Sequence, residues 1–275
     1  MDFVVRGAIA FLLLCAAVAA QDLSALGKRL KDPDAAARRA AANEIAELGG
    51  KAAKLAPDLA GVLADKDPAV AEAAGRALGR MGKPAIKWIR DPLRERSTLP
   101  AAMLAIEALG ADGAELVPDI LSALTKFEEK PAFDGAVKAV RAIGAPAVPF
   151  LQKGLKTRAC SGYAAQLLGE LREVAAPAAP DLMALVANRG EQPGARGYAA
   201  TAIGRIGKPA RAQAPKLLAI ALDPKEDNSV RENALSAIGW TGSDDPQVAD
   251  GVRLLQLDKE PRIAAAAKMV LQKLK

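Results

Sequence analysis

From Leu23 onward, small and branched aliphatic residues recur four positions apart within short segments, the spacing of a helix with one apolar stripe. The segments themselves repeat. Gly49, Gly82, Gly113, Gly144, Gly207 and Gly242 each close one, and Arg172 stands in the same place in another. Successive markers lie 28 to 35 residues apart, the period of stacked supersecondary units rather than of one globular core. A further 33 residues from Gly242 reaches Lys275, where an eighth unit is expected to close.

Aligning the units on these markers exposes the core stripe. Eight positions earlier stand Ala41, Ala74, Ala105, Ala136, Ala164, Ala199, Ala234 and Ala267. Four positions earlier stand Ile45, Leu78, Leu109, Val140, Leu168, Ile203, Ile238 and Leu271. Twelve positions earlier the residues are again small or branched, from Ala37 and Val70 to Cys160 and Ile263. An alanine held at one register position predicts a neighbouring backbone pressed close against it, with the branched side chain filling the layer beyond.

Each unit also carries an earlier apolar helix, such as Ala56 to Leu63 or Ala214 to Ala221. Asp67-Pro68, Asn228-Ser229 and Glu260-Pro261 supply the turn between the two helices. A glycine after the last turn ends the second helix, and Gly82-Lys83-Pro84-Ala85 and Gly207-Lys208-Pro209-Ala210 open the next unit. No strand pattern interrupts this order. The expected fold is all-α, a right-handed α-solenoid of about eight antiparallel helix pairs over residues 21–275.

Asp67-Pro68-Ala69-Val70 leading into Ala74 to Gly79, Asn228-Ser229-Val230-Arg231 leading into Ala234 to Gly239, and the two Gly-Lys-Pro-Ala starts resemble the HEAT repeat family. The likeness is to its short bacterial form, named after the phycobilisome bilin lyases, and it covers residues 22–275. It implies a superhelix whose second helices line the concave surface and, for most members, a scaffold that binds proteins. It also implies that Arg38, Arg196 and Arg231, which share one register position, pair with an aspartate near a turn. Asp32, Asp67 and Asp227 are available for this; a phosphate-gripping ladder is the rival reading.

Composition narrows the chemistry. The chain has no histidine, which removes histidine triads, bases and metal ligands. A deoxyhypusine hydroxylase reading fails on the same ground, because the iron of that HEAT-fold enzyme needs His-Glu pairs. The cysteines are Cys15 and Cys160, too few for a thiolate zinc site. Cys160 shares its register position with Ala37 and Ala195, so a small core residue is expected there rather than a nucleophile or a bilin attachment point. Glu128-Glu129 and Asp244-Asp245 fall at expected helix ends, where carboxylates cap. No metal, cofactor or catalytic residue is expected.

Residues 1–20 read as a signal peptide, with Arg6 as the basic start, an uncharged run from Gly7 to Ala20 and small residues at Ala17 to Ala20. An uncleaved anchor or a buried helix is the alternative. Cleavage implies an exported protein, periplasmic or extracellular, and contradicts a DNA glycosylase. The formal charge is +6, from 38 basic and 32 acidic residues, but no polybasic block occurs. A mildly basic surface follows, with weak polyanion binding as an alternative and nucleic acid disfavoured.

The ridge opposite the core stripe, expected to face the groove, holds the candidate site. In units five to seven it reads Tyr163, Gln166, Glu170; then Tyr198, Thr201, Arg205; then Asn233, Ser236, Trp240. Aromatics are 3% of the chain, so three on one ridge stand out. Tyr163, Gln166, Tyr198, Thr201, Arg205, Ser236 and Trp240 are the expected binding residues for a protein or peptide partner, with the rings as one strip of anchors. The competing reading is local packing over Gly162, Gly197 and Gly239. A bilin-lyase-like enzyme is the rival function.

Overall fold

A computed structural model describes residues 22–274. The expected signal peptide and Lys275 lie outside the described residues. The helices of the described residues fall into two compact units, divided between Gly113 and Ala114. No strand occurs among the described residues.

The first unit pairs α1 (22–29) with α2 (Ala35–Leu48), α3 (Ala56–Val62) with α4 (Pro68–Arg80), and α5 (Ile86–Arg90) with α6 (Leu99–Leu109). Two of its second helices, α2 and α4, start on acidic caps. Asp34 accepts from the Ala36 N–H at 3.1 Å, and Asp67 accepts from the Ala69 N–H at 2.9 Å, each satisfying a backbone donor that the helix leaves free. Ala41 and Ala74 have no exposed surface. The reason for small residues is visible at Gly79, where an added Cβ would lie 2.3 Å from the Ala105 carbonyl oxygen. At Gly75 it would lie equally close to that of Ala101. Backbone therefore packs on backbone between α4 and α6.

The same approach corrects the register expected for the third pair. Helix α6 ends at Leu109, and Gly110, with φ 58°, takes the left-handed turn in place of Gly113. Gly113 lies inside the 3-10 turn that follows. The layer residues are then Ala102 and Ile106, both without exposed surface, whereas Leu109 is 8% exposed. Helix α6 is apolar nearly all round, so periodicity alone cannot choose between the two registers.

The second unit contains five pairs. They are α7 (Val117–Lys126) with α8 (Lys130–Ile143), α9 (Val148–Leu155) with α10 (Ser161–Glu170), α11 (Ala179–Ala187) with α12 (Pro193–Ile206), α13 (Ala214–Leu222) with α14 (Asn228–Thr241), and α15 (Pro246–Leu254) with α16 (Pro261–Lys273). First helices contribute one layer and second helices the other. Between them Leu151, Leu182, Leu217 and Val252 are fully enclosed. Ala136, Ala164, Ala199, Ala234 and Ala267 also have no exposed surface. The close seam recurs here, with a Cβ on Gly169 meeting the Ala202 backbone at 3.2 Å and one on Gly204 meeting Ala237 at 3.1 Å. Asp227 and Asp245 cap α14 and α15.

The register-matched arginines are buried ties between consecutive pairs. In the first unit, Arg38 donates to both oxygens of Asp65 at 2.7 Å and to the carbonyls of Asp32 and Pro33. In the second, Arg196 donates to both oxygens of Glu226 at 2.8 and 2.6 Å and to the Val186 carbonyl at 2.7 Å. Arg231 donates to Asp258 and to the Ala221 carbonyl. The partners differ from those expected: Asp67 and Asp227 are occupied as helix caps, and a carboxylate one or two residues earlier takes the arginine. That carboxylate also accepts from the backbone ahead of it, at Asp67, Asp227 and Glu260 respectively. One guanidinium thus ties the end of its own first helix or the adjoining turn to the turn of the next pair.

These ties set an acid limit on stability. The hydrogen bond from Arg196 holds the Glu226 carboxyl below its ordinary range, against the opposing effect of burial. The hydrogen bond from Arg38 does the same for Asp65. With folded values below unfolded ones, the unfolded chain takes up more protons, so the stabilisation is complete above about pH 5 and lost as pH falls through the lowered values. Arg196→Ala leaves a buried carboxylate unpaired and is expected to cost about 3 kcal/mol at neutral pH. Its stability should also vary less with pH below about pH 5 than that of the wild type. Thermal melts across this range check both; an unchanged neutral-pH midpoint would show that the tie is not structural.

Candidate functional site

Within the second unit, α10, α12 and α14 lie side by side, and the residues that point away from the first-helix layer meet in three adjoining recesses. The first, about 520 Å³, has Tyr163, Gln166 and Tyr198 on its wall, with Glu128, Arg158 and Gln192 at its rim. The second, about 430 Å³, shares Gln166 and Tyr198 with the first and adds Phe133, Thr201, Arg205 and Asn233. The third and largest, about 770 Å³, shares Thr201, Arg205 and Asn233 with the second and ends on Arg172, Ser236 and Trp240. All seven residues expected from the sequence line this run.

The aromatic groups are arranged differently from a single strip. Tyr163 tilts against Phe133 of α8, with ring centroids 6.4 Å apart. Tyr198 stands in the wall between the first two recesses, and Trp240 belongs to the third. Tyr198 is 47% exposed and Trp240 63% exposed, so neither is core packing. Glycines nevertheless support them: the Tyr198 ring edge lies 3.6 Å from where a Gly162 Cβ would be, and the Trp240 Cβ equally far from one on Gly204. Of the glycines in the packing reading, Gly162 lies against Tyr198, whereas Gly197 faces Asn233 and Gly239 faces Val270 and Lys273, so that reading accounts for the seating of Tyr198 alone. Trp88 lies far from this run in sequence and belongs to α5 of the first unit, half-buried.

Polar groups fix the floor between the rings. The Thr201 hydroxyl donates to the Gly197 carbonyl at 3.0 Å and lies 3.4 Å from the Asn233 amide oxygen. Asn233 in turn donates to the Ser229 carbonyl at 2.8 Å. Glu170 is bound by two guanidinium groups, Arg141 on one oxygen and Arg205 on the other. The Lys273 ammonium sits 3.6 Å from the Trp240 ring centroid, a cation–π contact. Burial, followed by Glu128 and Tyr198, pushes the Tyr163 phenol up, so its hydroxyl stays a hydrogen-bond donor at neutral pH.

Arg172 is the irregular element. It occupies the marker position that glycine fills elsewhere, with φ 52°, and is the one non-glycine residue in that region among the described residues. No ion pair engages its side chain among them. Sequence reasoning used Arg172 only as a marker and left Asn233 and Phe133 out of the site. The departure from glycine was the available signal for Arg172. For Asn233 and Phe133 no signal existed beyond their register, since recess depth depends on neighbouring pairs.

Reactive groups are few. Cys160 precedes α10, half-buried, with its sulfur 3.6 Å from the Gly154 carbonyl oxygen. Burial pushes its thiol up, against a hydrogen bond with Thr157. No group of three or more Asp, Glu, Cys or His side chains among the described residues is placed to hold a metal ion. No helix among them is long and apolar enough to cross a membrane.

The sequence over residues 23–110 matches the family described as HEAT repeats. The same helix pair, marker turn and alanine seam continue through the second unit. No curated protein matches the sequence. Among solved structures, the chain is similar to human deoxyhypusine hydroxylase at 21% identity, covering 95% of this chain and 98% of that one, with a TM-score of 0.39. Importin beta is similar at 11% identity, covering 90% of this chain and 39% of its own, with a TM-score of 0.46. Kap121p is similar at 13%, covering 92% and 33%, with a TM-score of 0.42.

A left-handed conformation costs an ordinary residue about 1 kcal/mol relative to glycine. Arg172→Gly is therefore expected to raise the melting temperature by about 2 °C. A lower midpoint would show instead that the guanidinium holds the local fold.

Proposed function

We propose that this protein is a non-catalytic HEAT-repeat scaffold that binds a protein or peptide partner along the three recesses of its second unit. The observation that carries the reading is the exposure of Tyr198 and Trp240 on seats made by glycines, at register positions where the repeat does not demand a ring. Amphipathic rings held in place contribute buried area and a hydrogen-bonding tip at low entropic cost. Binding rather than catalysis is favoured by the groups present. Glu170 is tied by two arginines, and the thiol of nearby Cys160 is raised by burial, so the first is not a free acid–base group and the second not an activated nucleophile.

The test is a displayed random-peptide library selected on the full chain. Selected peptides are expected to lose about 2 kcal/mol of affinity on Tyr198→Ala, with an unchanged melting temperature, and to be indifferent to Trp88→Ala. Unfolding of Tyr198→Ala, or affinity independent of Tyr198, would place the binding surface elsewhere.

The proposal includes export to a periplasmic or extracellular site, resting on the uncharged Gly7 to Ala20 run and its small-residue end. N-terminal sequencing of the protein from its native compartment is expected to begin near Gln21; intact Met1 in a soluble cytosolic fraction refutes export.

A further inference from the structure

We infer that the recess between Arg172 and Trp240 binds the carboxylate of an acidic peptide segment, so that the partner carries Asp or Glu beside an apolar residue. This rests on the binding reading above and specifies its chemistry. Arg172 keeps a left-handed backbone where glycine stands at the other marker turns. Strain of this kind persists where the side chain it places is used. Arg172 lines the largest of the three recesses and makes no ion pair among the described residues, so its donors are free for a planar carboxylate.

The surrounding charge is complementary to an acid. Arg205 shares Glu170 with Arg141, which leaves that cluster with one excess positive charge. Lys273 adds another behind the lining, against the Trp240 ring. Glu173 is the opposing carboxylate on this wall, and it forms no ion pair with Arg172 among the described residues. The recess itself is lined by Arg172 and Arg205 against Glu173, and the groups in contact with that lining, Arg141 and Lys273 against Glu170, keep its surroundings net positive. Val174, 46% exposed, and Trp240, 63% exposed, supply apolar surface in the same recess. The combination suits an acidic side chain with an apolar neighbour.

A continuous polyanion fits less well. Glu128 and Glu191 line the first recess, and Glu170 the second, so a phosphate chain along the groove would meet a carboxylate at each step. A peptide meets this pattern with single charges separated by neutral residues.

The test uses a short blocked peptide alternating Asp with Leu and Tyr, its Asn counterpart, and oligothymidylate of equal length, read by fluorescence anisotropy on the full chain. The Asp peptide is expected to bind about tenfold or more tightly than the Asn peptide. Arg172→Gly and Arg172→Gln should each remove most of that difference. Because Arg172→Gly is compatible with the backbone, its melting temperature reports separately on folding. Equal affinity for the Asp and Asn peptides, or no binding of the Asp peptide, overturns the acidic partner. Binding that needs Tyr198 but ignores Arg172 overturns it while retaining the groove. Binding that ignores both overturns the groove as well. Oligothymidylate held as tightly as the Asp peptide shows a general polyanion site and also overturns the inference.

Discussion

The close approach of consecutive second helices governs each of the two units. At Gly79 there is no room for a Cβ against the Ala105 carbonyl, and at Gly204 little against Ala237. Helices that meet at such distance gain dispersion contacts along the backbone, and a larger residue in the seam forces them apart. Alanine at the register position eight before the marker follows from the same constraint. The branched residue four positions later reaches the first-helix layer, so one helix face serves two packing surfaces at different depths. The turn that closes each unit then has to reverse the chain within a few residues, which fixes the left-handed backbone at Gly49, Gly82, Gly144 and Gly207.

The buried arginines act on a different axis. The apolar seam is nearly smooth along the helices, and alanine and glycine offer little resistance to a sliding register. Arg196 removes that freedom, because its fork meets both oxygens of Glu226 while its Nε–H is directed at Val186. A one-residue slip would leave buried donors and a buried carboxylate unmatched. Hydrophobic contacts hold these pairs together, and the guanidinium ties set where they stop.

Architecture was legible in the sequence because it rests on spacing. The helix pairs, the alanine stripe and the marker turns all follow from periodicity and from residue types with few conformational options. Two kinds of detail were not. In α6 nearly every residue is apolar, so the stripe fits two registers and Gly113 competes with Gly110 on equal terms. In the loops ahead of α4 and α14, carboxylates stand one or two residues apart, at Asp65 and Asp67 and at Glu226 and Asp227. Which one caps and which one pairs is decided by the direction of the chain. The ridge residues could be listed from register, but the division of their face into recesses depends on side-chain depth across neighbouring pairs.

That separation between seam and ridge also explains how a repeat can carry a site without losing its fold. Seam positions answer to the neighbouring backbone and admit only small residues. Ridge positions answer to solvent, and their side chains change at little cost to packing. Tyr198 and Trp240 exploit this freedom, with the seam glycine at 204 and the ridge-side Gly162 lending them support. Arg172 departs from it, since it stands at a marker turn where the backbone itself prefers glycine. A side chain retained at a position that disfavours it, open to solvent and bound to no carboxylate among the described residues, adds nothing evident to the fold. The strain it carries becomes intelligible if the guanidinium is placed for a group that arrives from outside.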